Sequence, residues 1–278
     1  MVRRNFLQVL QEKNVDLKRE YQRLYELFYI QKAPDMHGIC YTLKDFCEGN
    51  FLNVPFRRTC LSLEDFDDTY NYHFEKIPHD FDLNYLLSFC EYTFNLSIWI
   101  TPGNPLCVFG NAQQSQFYLQ QVQNVMEMIG YTRAIQEGIS IFVPKDRGAI
   151  SVSEIVSPDV SYKVLEYNHY TMKGDIARKR ETLRILADQL EPKRAELATI
   201  NKELASNVFF MFNNMNIRHN NRTKGNKNNY KEVIAEMSQD ELENWYDETY
   251  QLCLLAFLEL DNMERTKKVA ELKASFGK

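Results

Sequence analysis

Turn-forming residues are scarce in this chain, with 10 glycines and 8 prolines in 278 residues. So few breaks per unit length imply long elements, which favours helices over a many-stranded sandwich. The six cysteines stand at 40, 47, 60, 90, 107 and 253, and no two have CxxC spacing. A zinc site or dithiol couple is therefore not expected. Long apolar runs are missing too. The most apolar stretch, residues 83–100, carries Asn84, Glu91 and Asn95 and reads as a buried helix, not a bilayer span. The opening residues are broken by Gln11, Glu12, Lys13 and Asp16 and lack the cleavage site of an export signal. The expectation is a cytoplasmic protein with buried, reduced thiols and no membrane partner. A Gly-rich phosphate loop, HExxH, GxSxG and a dinucleotide fingerprint are all absent, which argues against an ATPase, zinc protease, serine hydrolase or nicotinamide enzyme. Neither a cofactor nor a metal is expected.

Positive charge is in the minority, with 33 Lys+Arg against 38 Asp+Glu, but it is unevenly placed. Residues 173–231 hold 13 Lys+Arg against 6 Asp+Glu, while the remainder holds 20 against 32. One basic segment thus stands on an acidic protein. It is either a solvated helix face or a contact surface for an anionic partner.

Periodicity predicts a mostly α protein: a helical bundle with a long N-terminal helix, a small β-hairpin insertion and a C-terminal antiparallel helical bundle. Three parts follow: a helical module at 1–130, a β-hairpin connector at 131–156 and a helical domain at 157–278. Val15, Leu17, Tyr21, Leu24, Tyr25 and Phe28 recur at helical steps, giving one helix over 2–32. The acidic cluster Glu64 to Asp68 lacks calcium-loop spacing and reads as a helix first turn behind Ser62. Further helices are expected over 81–100 and 113–129. Ile139, Ile141 and Val143 alternate with Ser140 and Phe142, Lys145 to Gly148 read as a turn, and Ile150 and Val152 alternate again. Ser157-Pro158 opens the C-terminal part. Met172 to Leu190 and Leu197 to Met211 give two amphipathic helices separated by Glu191-Pro192. The second has near-heptad spacing, suited to bundle packing or a dimer seam. Ser238 to Glu241 have capping-box spacing ahead of the last helix.

Between those helices lie residues 213–229, dominated by Asn, Arg, Lys and His. This loop is too polar for a core and longer than a helix connection requires. Arg218 offers a planar fork suited to phosphate. His219 brings a side chain whose unperturbed pKa, about 6.5, permits proton transfer both ways near neutrality. Asn220 and Asn221 can bond a base edge or orient the histidine, and Arg222, Lys224 and Lys227 can hold a phosphate backbone. These are the parts for metal-independent RNA cleavage, with Arg218, His219 and Asn220 as catalytic candidates and Asn221, Arg222, Lys224 and Lys227 as substrate contacts. The same residues also suit a helix C-terminus, where cations meet the macrodipole and asparagines form Asx-turns. His169 reads either as a hydrogen-bonded structural histidine or as a neighbour of His219. His37, His73 and His79 have no paired nucleophile.

A long helix, a polar loop with Arg followed by His, and another long amphipathic helix make residues 166–262 resemble the C-terminal half of HEPN-domain proteins. These are helical bundles common in bacterial toxin–antitoxin and abortive-infection (anti-phage) systems. The resemblance implies a metal-independent endoribonuclease whose site forms where two protomers meet. It therefore implies a homodimer, while the charge distribution permits an acidic protein partner, such as an antitoxin, that covers the basic patch. Arg218 matches the family's arginine and His219 its variable polar position. The family's histidine should fall at 223–225, where this chain has Thr223, Lys224 and Gly225. Either His219 has taken over that role, or this is a degenerate HEPN fold used for dimerisation, interaction or RNA binding without cleavage.

Overall fold

Helix starts follow side-chain caps placed where the sequence puts Asp, Asn, Ser or Thr before an apolar run. A computed structural model describes residues 15–35, 37–100, 111–224 and 229–276. Helices dominate, with two small antiparallel two-stranded sheets among the described residues. The chain divides into two units, residues 1–142 and 143–278.

In the first unit, Asp16 caps α1 (Leu17–Tyr25), which widens into a π-helical turn over Glu26–Ile30. The part of the expected helix before Val15 lies outside the described residues. Two short strands, β1 (Ala33–Pro34) and β2 (Cys40–Tyr41), pair before α2 (Leu43–Asn50). Ser62 accepts from the Asp65 amide to open α3 (Leu63–Tyr70), so the acidic cluster is a helix first turn. α4 (Leu83–Ile98) is buried along most of its length and α5 (Ala112–Met128) packs beside it. Aromatic rings fill the space between elements. Tyr21 meets Phe89 edge-on at 4.9 Å, and Tyr118, fully buried, donates to the Thr93 hydroxyl at 2.6 Å.

The hairpin pairs β3 (Tyr131–Gln136) with β4 (Ile139–Pro144) through Glu137 and Gly138, both at positive φ (51° and 81°). Two adjacent left-handed residues make the tight turn whose twist suits a two-residue hairpin. β4 leans on α4, where Asn95 exchanges hydrogen bonds with the Ser140 backbone (2.8 Å each) and Glu91 accepts the Phe142 amide. The turn expected at 145–148 and the strand expected at 150–152 are corrected. Asp146 accepts from the amides of Gly148 and Ala149 and starts α6 (Arg147–Ser153) instead. An N-cap of that kind overrides a short alternating pattern that a helix face can equally bury.

Within this unit the Tyr92 hydroxyl donates to Asp67 at 2.6 Å. Burial pushes the Asp67 carboxyl from 3.8 up to about 6, against the pull of the Tyr92 hydroxyl. A folded-state value above the unfolded one makes this group favour folding below about pH 4, an advantage lost as pH rises through 6. Asp67→Asn keeps an acceptor for Tyr92 and is expected to be neutral at pH 4. At pH 8 it should be stabilising, by on the order of 1–2 kcal/mol. Thermal melts at the two pH values check this. An equal effect at both would refute the burial account.

The second unit is a bundle of α6, α7 (Pro158–Glu166), α8 (Ile176–Leu190), α9 (Arg194–Ile200), α10 (Lys202–Asn214), the short α11 (Glu232–Glu236) and α12 (Gln239–Phe276). α12 packs against α6, α8, α9 and α10. Its start is the capping box read from the sequence, with Ser238 and Glu241 bonding each other's amides at 3.2 and 3.0 Å. The single helix expected over 197–211 is broken at Asn201, which is extended and caps Leu204 at 3.0 Å. Ser157 begins α7 with Pro158 at its first turn, but its side chain caps no amide. Tyr167 and Tyr250 stack at 4.0 Å and 8°, and the Tyr250 hydroxyl donates to the Val164 carbonyl. His169 is a structural histidine here: it is buried and its Nδ1 accepts the Thr171 amide to start a 3-10 turn.

Four thiols, Cys47, Cys60, Cys90 and Cys253, are buried as expected, but Cys40 is exposed. Cys107 lies outside the described residues. No helix among the described residues is long and apolar enough to cross a membrane.

Candidate nucleic-acid interface

The loop after α10 begins with a left-handed Asn216 (φ 57°), and the Arg218 amide then closes back on the Phe212 carbonyl at 3.0 Å. Ile217 between them is fully buried, which pins the loop onto the bundle. The loop is therefore built, not draped.

Asn221 is its hub. The residue is 1 % exposed. Its Oδ1 accepts the Asn216 amide (2.8 Å), its Nδ2 donates to the carbonyls of Asn229 (2.7 Å) and Asn213 (3.2 Å), and its own amide donates to Asn216 Oδ1. The Lys231 amide closes on its carbonyl at 2.9 Å. Expected among the substrate contacts, Asn221 is instead enclosed, because the loop's inward carbonyls and amides need a partner when water is excluded. Asn220 makes an Asx-turn, accepting from the amides of Arg222 and Thr223 at 3.1 Å each, and donates to the Thr223 hydroxyl.

The cations divide into two groups. The Arg218 guanidinium is ion-paired with Glu191. Arg178 pairs with Glu166, Lys179 with Glu243 and Asp247, Arg184 with Glu181, and Arg194 with Glu191. Five of the segment's thirteen cations are thus neutralised by carboxylates. Arg180, Arg222 and Lys224 have no carboxylate within ion-pair distance among the described residues. Arg180 reaches the Ile217 carbonyl at 3.4 Å, Arg222 donates to the Met237 carbonyl at 3.0 Å, and Lys224 stands 5.9 Å from the Tyr230 ring centroid. His219 is exposed, and its ring makes no hydrogen bond or ion pair among the described residues. Lys227 lies outside the described residues.

Beneath the loop, Tyr246 of α12 is fully buried, and its hydroxyl closes no hydrogen bond. Burial pushes its phenol up, against the pull of Arg180, Asn216 and Arg222. Asn216 pulls without ordinary hydrogen-bond geometry. Neither Arg180 nor Tyr246 was marked by the sequence, because a helical arginine and a core tyrosine carry no local signal of a site. Glu191 was legible only as part of the Glu191-Pro192 interruption.

Chemically, the loop offers a solvent-facing imidazole beside uncompensated cations on a fixed frame. Such a frame can hold a phosphate backbone and place one group able to move a proton. Comparison with protein-family models, curated proteins and solved structures finds no match for this chain.

Proposed function

We propose that the second unit is a HEPN-like bundle that acts on RNA through the 213–231 loop. Arg222, Lys224 and the underlying Arg180 take backbone phosphates, His219 faces the sugar-phosphate to exchange a proton with it, and Arg218, at the position of the family's arginine, stabilises charge on the phosphate in the transition state. The observation that carries this reading is the pairing of an unpartnered His219 with unneutralised cations on a loop anchored by Asn221. In the setting that the HEPN resemblance implies, this is a metal-independent endoribonuclease of bacterial phage defence or toxin–antitoxin function, acting as a homodimer held in check by an acidic partner.

A second reading, RNA binding without cleavage, is favoured by the ion pair between Arg218 and Glu191. An arginine already matched to a carboxylate stabilises less of the charge that develops on phosphate in the transition state.

Purified protein is incubated with total RNA in EDTA, alongside Arg218→Ala and His219→Ala, and binding to single-stranded RNA is followed against salt. The expected results are cleavage lost in both variants and affinity falling with log salt at a slope near −2, about −0.7 for each of three phosphate contacts. Salt-dependent binding without products establishes the second reading. Neither cleavage nor binding removes RNA from the account.

A further inference from the structure

The first unit holds a cavity of about 310 Å³ within its own elements. That is the small end of the roughly 300–1,000 Å³ usual for small-molecule sites. Five of the eleven residues that line it are aromatic. Phe66 and Tyr72 lie 8° from parallel with centroids 5.9 Å apart, and Tyr72 lies 26° from Tyr92 at 4.9 Å. Tyr70, also on the wall, is 45 % exposed. A wall of rings with the half-exposed Tyr70 at its open side offers apolar surface against which a flat heterocycle can pack, a contact available to every nucleobase.

Two polar features separate this cavity from a plain packing defect. The first is Arg58, a cation on the wall, whose backbone sits at φ 55° and ψ −122°. That region suits glycine, and a side chain held there is strained. Its neighbour Arg57 holds the turn in place by donating to the carbonyls of Leu52 (3.1 Å), Cys60 (2.9 Å) and Arg58 itself. The Arg58 guanidinium has no ion-pair partner among the described residues. The strained turn therefore sets an uncompensated cation on the wall of this cavity. The second is Ser140, fully buried and also on the wall. Its hydroxyl oxygen accepts from Arg133 Nε at 2.9 Å, and its hydroxyl hydrogen has no protein acceptor among the described residues. Glu91 adds a carboxylate to the same wall, one oxygen of which holds the Phe142 amide.

We propose that this cavity binds a single nucleotide. The base packs against the ring wall beside the half-exposed Tyr70, with its edge toward the Ser140 hydroxyl and the Glu91 carboxylate. The phosphate rests on Arg58. The ligand is either a free nucleoside monophosphate or one nucleotide splayed out of an RNA strand, since both present the same base and phosphate. The proposal does not depend on the 213–231 loop.

The full chain is titrated calorimetrically with AMP, GMP, CMP and UMP, with tetranucleotides, and with inorganic phosphate. Wild type is expected to bind at least one nucleotide more tightly than phosphate. Binding of the monophosphates identifies the free form as ligand, and binding of the tetranucleotides alone, weakened in Arg58→Gly, identifies the RNA strand. Arg58→Gly should weaken binding about tenfold or more, through loss of the charge-assisted bonds, while raising the melting temperature because glycine takes φ 55° without strain. Arg58→Lys should fall between, since it keeps the charge and loses the fork. Loss of binding in Arg58→Gly, a residue of the first unit, separates this site from the loop of the second unit. Absence of nucleotide binding, phosphate binding as tight as any nucleotide, or wild-type affinity in Arg58→Gly would each overturn the proposal.

Discussion

Lys179→Met is expected to destabilise the second unit by about 3 kcal/mol, the cost typical of breaking a buried ion pair from one side. Lys179 is only 5 % exposed. Its ammonium contacts Glu243 at 2.7 Å and Asp247 at 2.6 Å and lies 5.3 Å from the Tyr167 ring centroid. The Tyr167 hydroxyl donates to Asp247 at 3.0 Å, so α7, α8 and α12 meet on this one cation. Methionine fills the volume but leaves the Glu243 carboxylate with little besides the Gly174 amide (2.8 Å) to stabilise its charge. Burial raises the Glu243 carboxyl, and Lys179 with the Gly174 amide more than offsets this, so its net shift is downward. A depressed carboxylate contributes stability above its unfolded value and loses it as pH falls. The penalty of Lys179→Met should therefore be largest near pH 7 and shrink below about pH 4. Adding Glu243→Gln and Asp247→Asn to Lys179→Met should recover much of the loss, because no charge is then stranded. Urea midpoints followed by Trp245 fluorescence in a Trp99→Phe background report the second unit alone. A loss independent of pH, with no recovery in the combined variant, would point to packing and not to charge.

Asn221→Ala is expected to unlock the loop, with a local cost of about 2–3 kcal/mol from three lost side-chain hydrogen bonds in a water-poor site. The amides of Asn216 and Lys231, and the carbonyls of Asn213 and Asn229, all converge on this residue. Because the loop can open without unfolding the bundle, the loss should register as faster hydrogen exchange at Asn216 and Lys231 more than as a shift in global melting. RNA affinity, if the loop carries it, should fall, because the enclosed Asn221 holds the loop's frame. Asn220→Ala removes only an exposed Asx-turn and should change exchange little. Unaltered protection of those two amides in Asn221→Ala would dismiss the hub assignment.

These two residues show where reading along the chain stops. Lys179 was one basic residue among thirteen in a charged segment, and nothing local marked it as the buried one. Asn221 sat in a run of asparagines of similar composition, of which the structure makes one a left-handed corner, one an Asx-turn and one a core group. The hairpin was legible in part: β4 alternates as a strand should, while β3 and the Glu137-Gly138 turn carry weaker signals. The segment after it was misread as strand because Ile150 and Val152 fit either period over so short a span.

By itself the sequence determined the mainly helical character, the caps at Ser62 and Ser238, the buried α4 and the place of the polar loop. Each of these rests on residues within about one turn of one another, where capping and periodicity act directly on the backbone. Only the tertiary structure decided how the charges are partnered: that Glu191 neutralises Arg218, that Glu243 and Asp247 enclose Lys179, and that Arg180 and Arg222 reach the Ile217 and Met237 carbonyls. Partners separated by 27 or 68 residues in sequence are brought together by how the helices pack, so their pairing has no signature in any local stretch of chain.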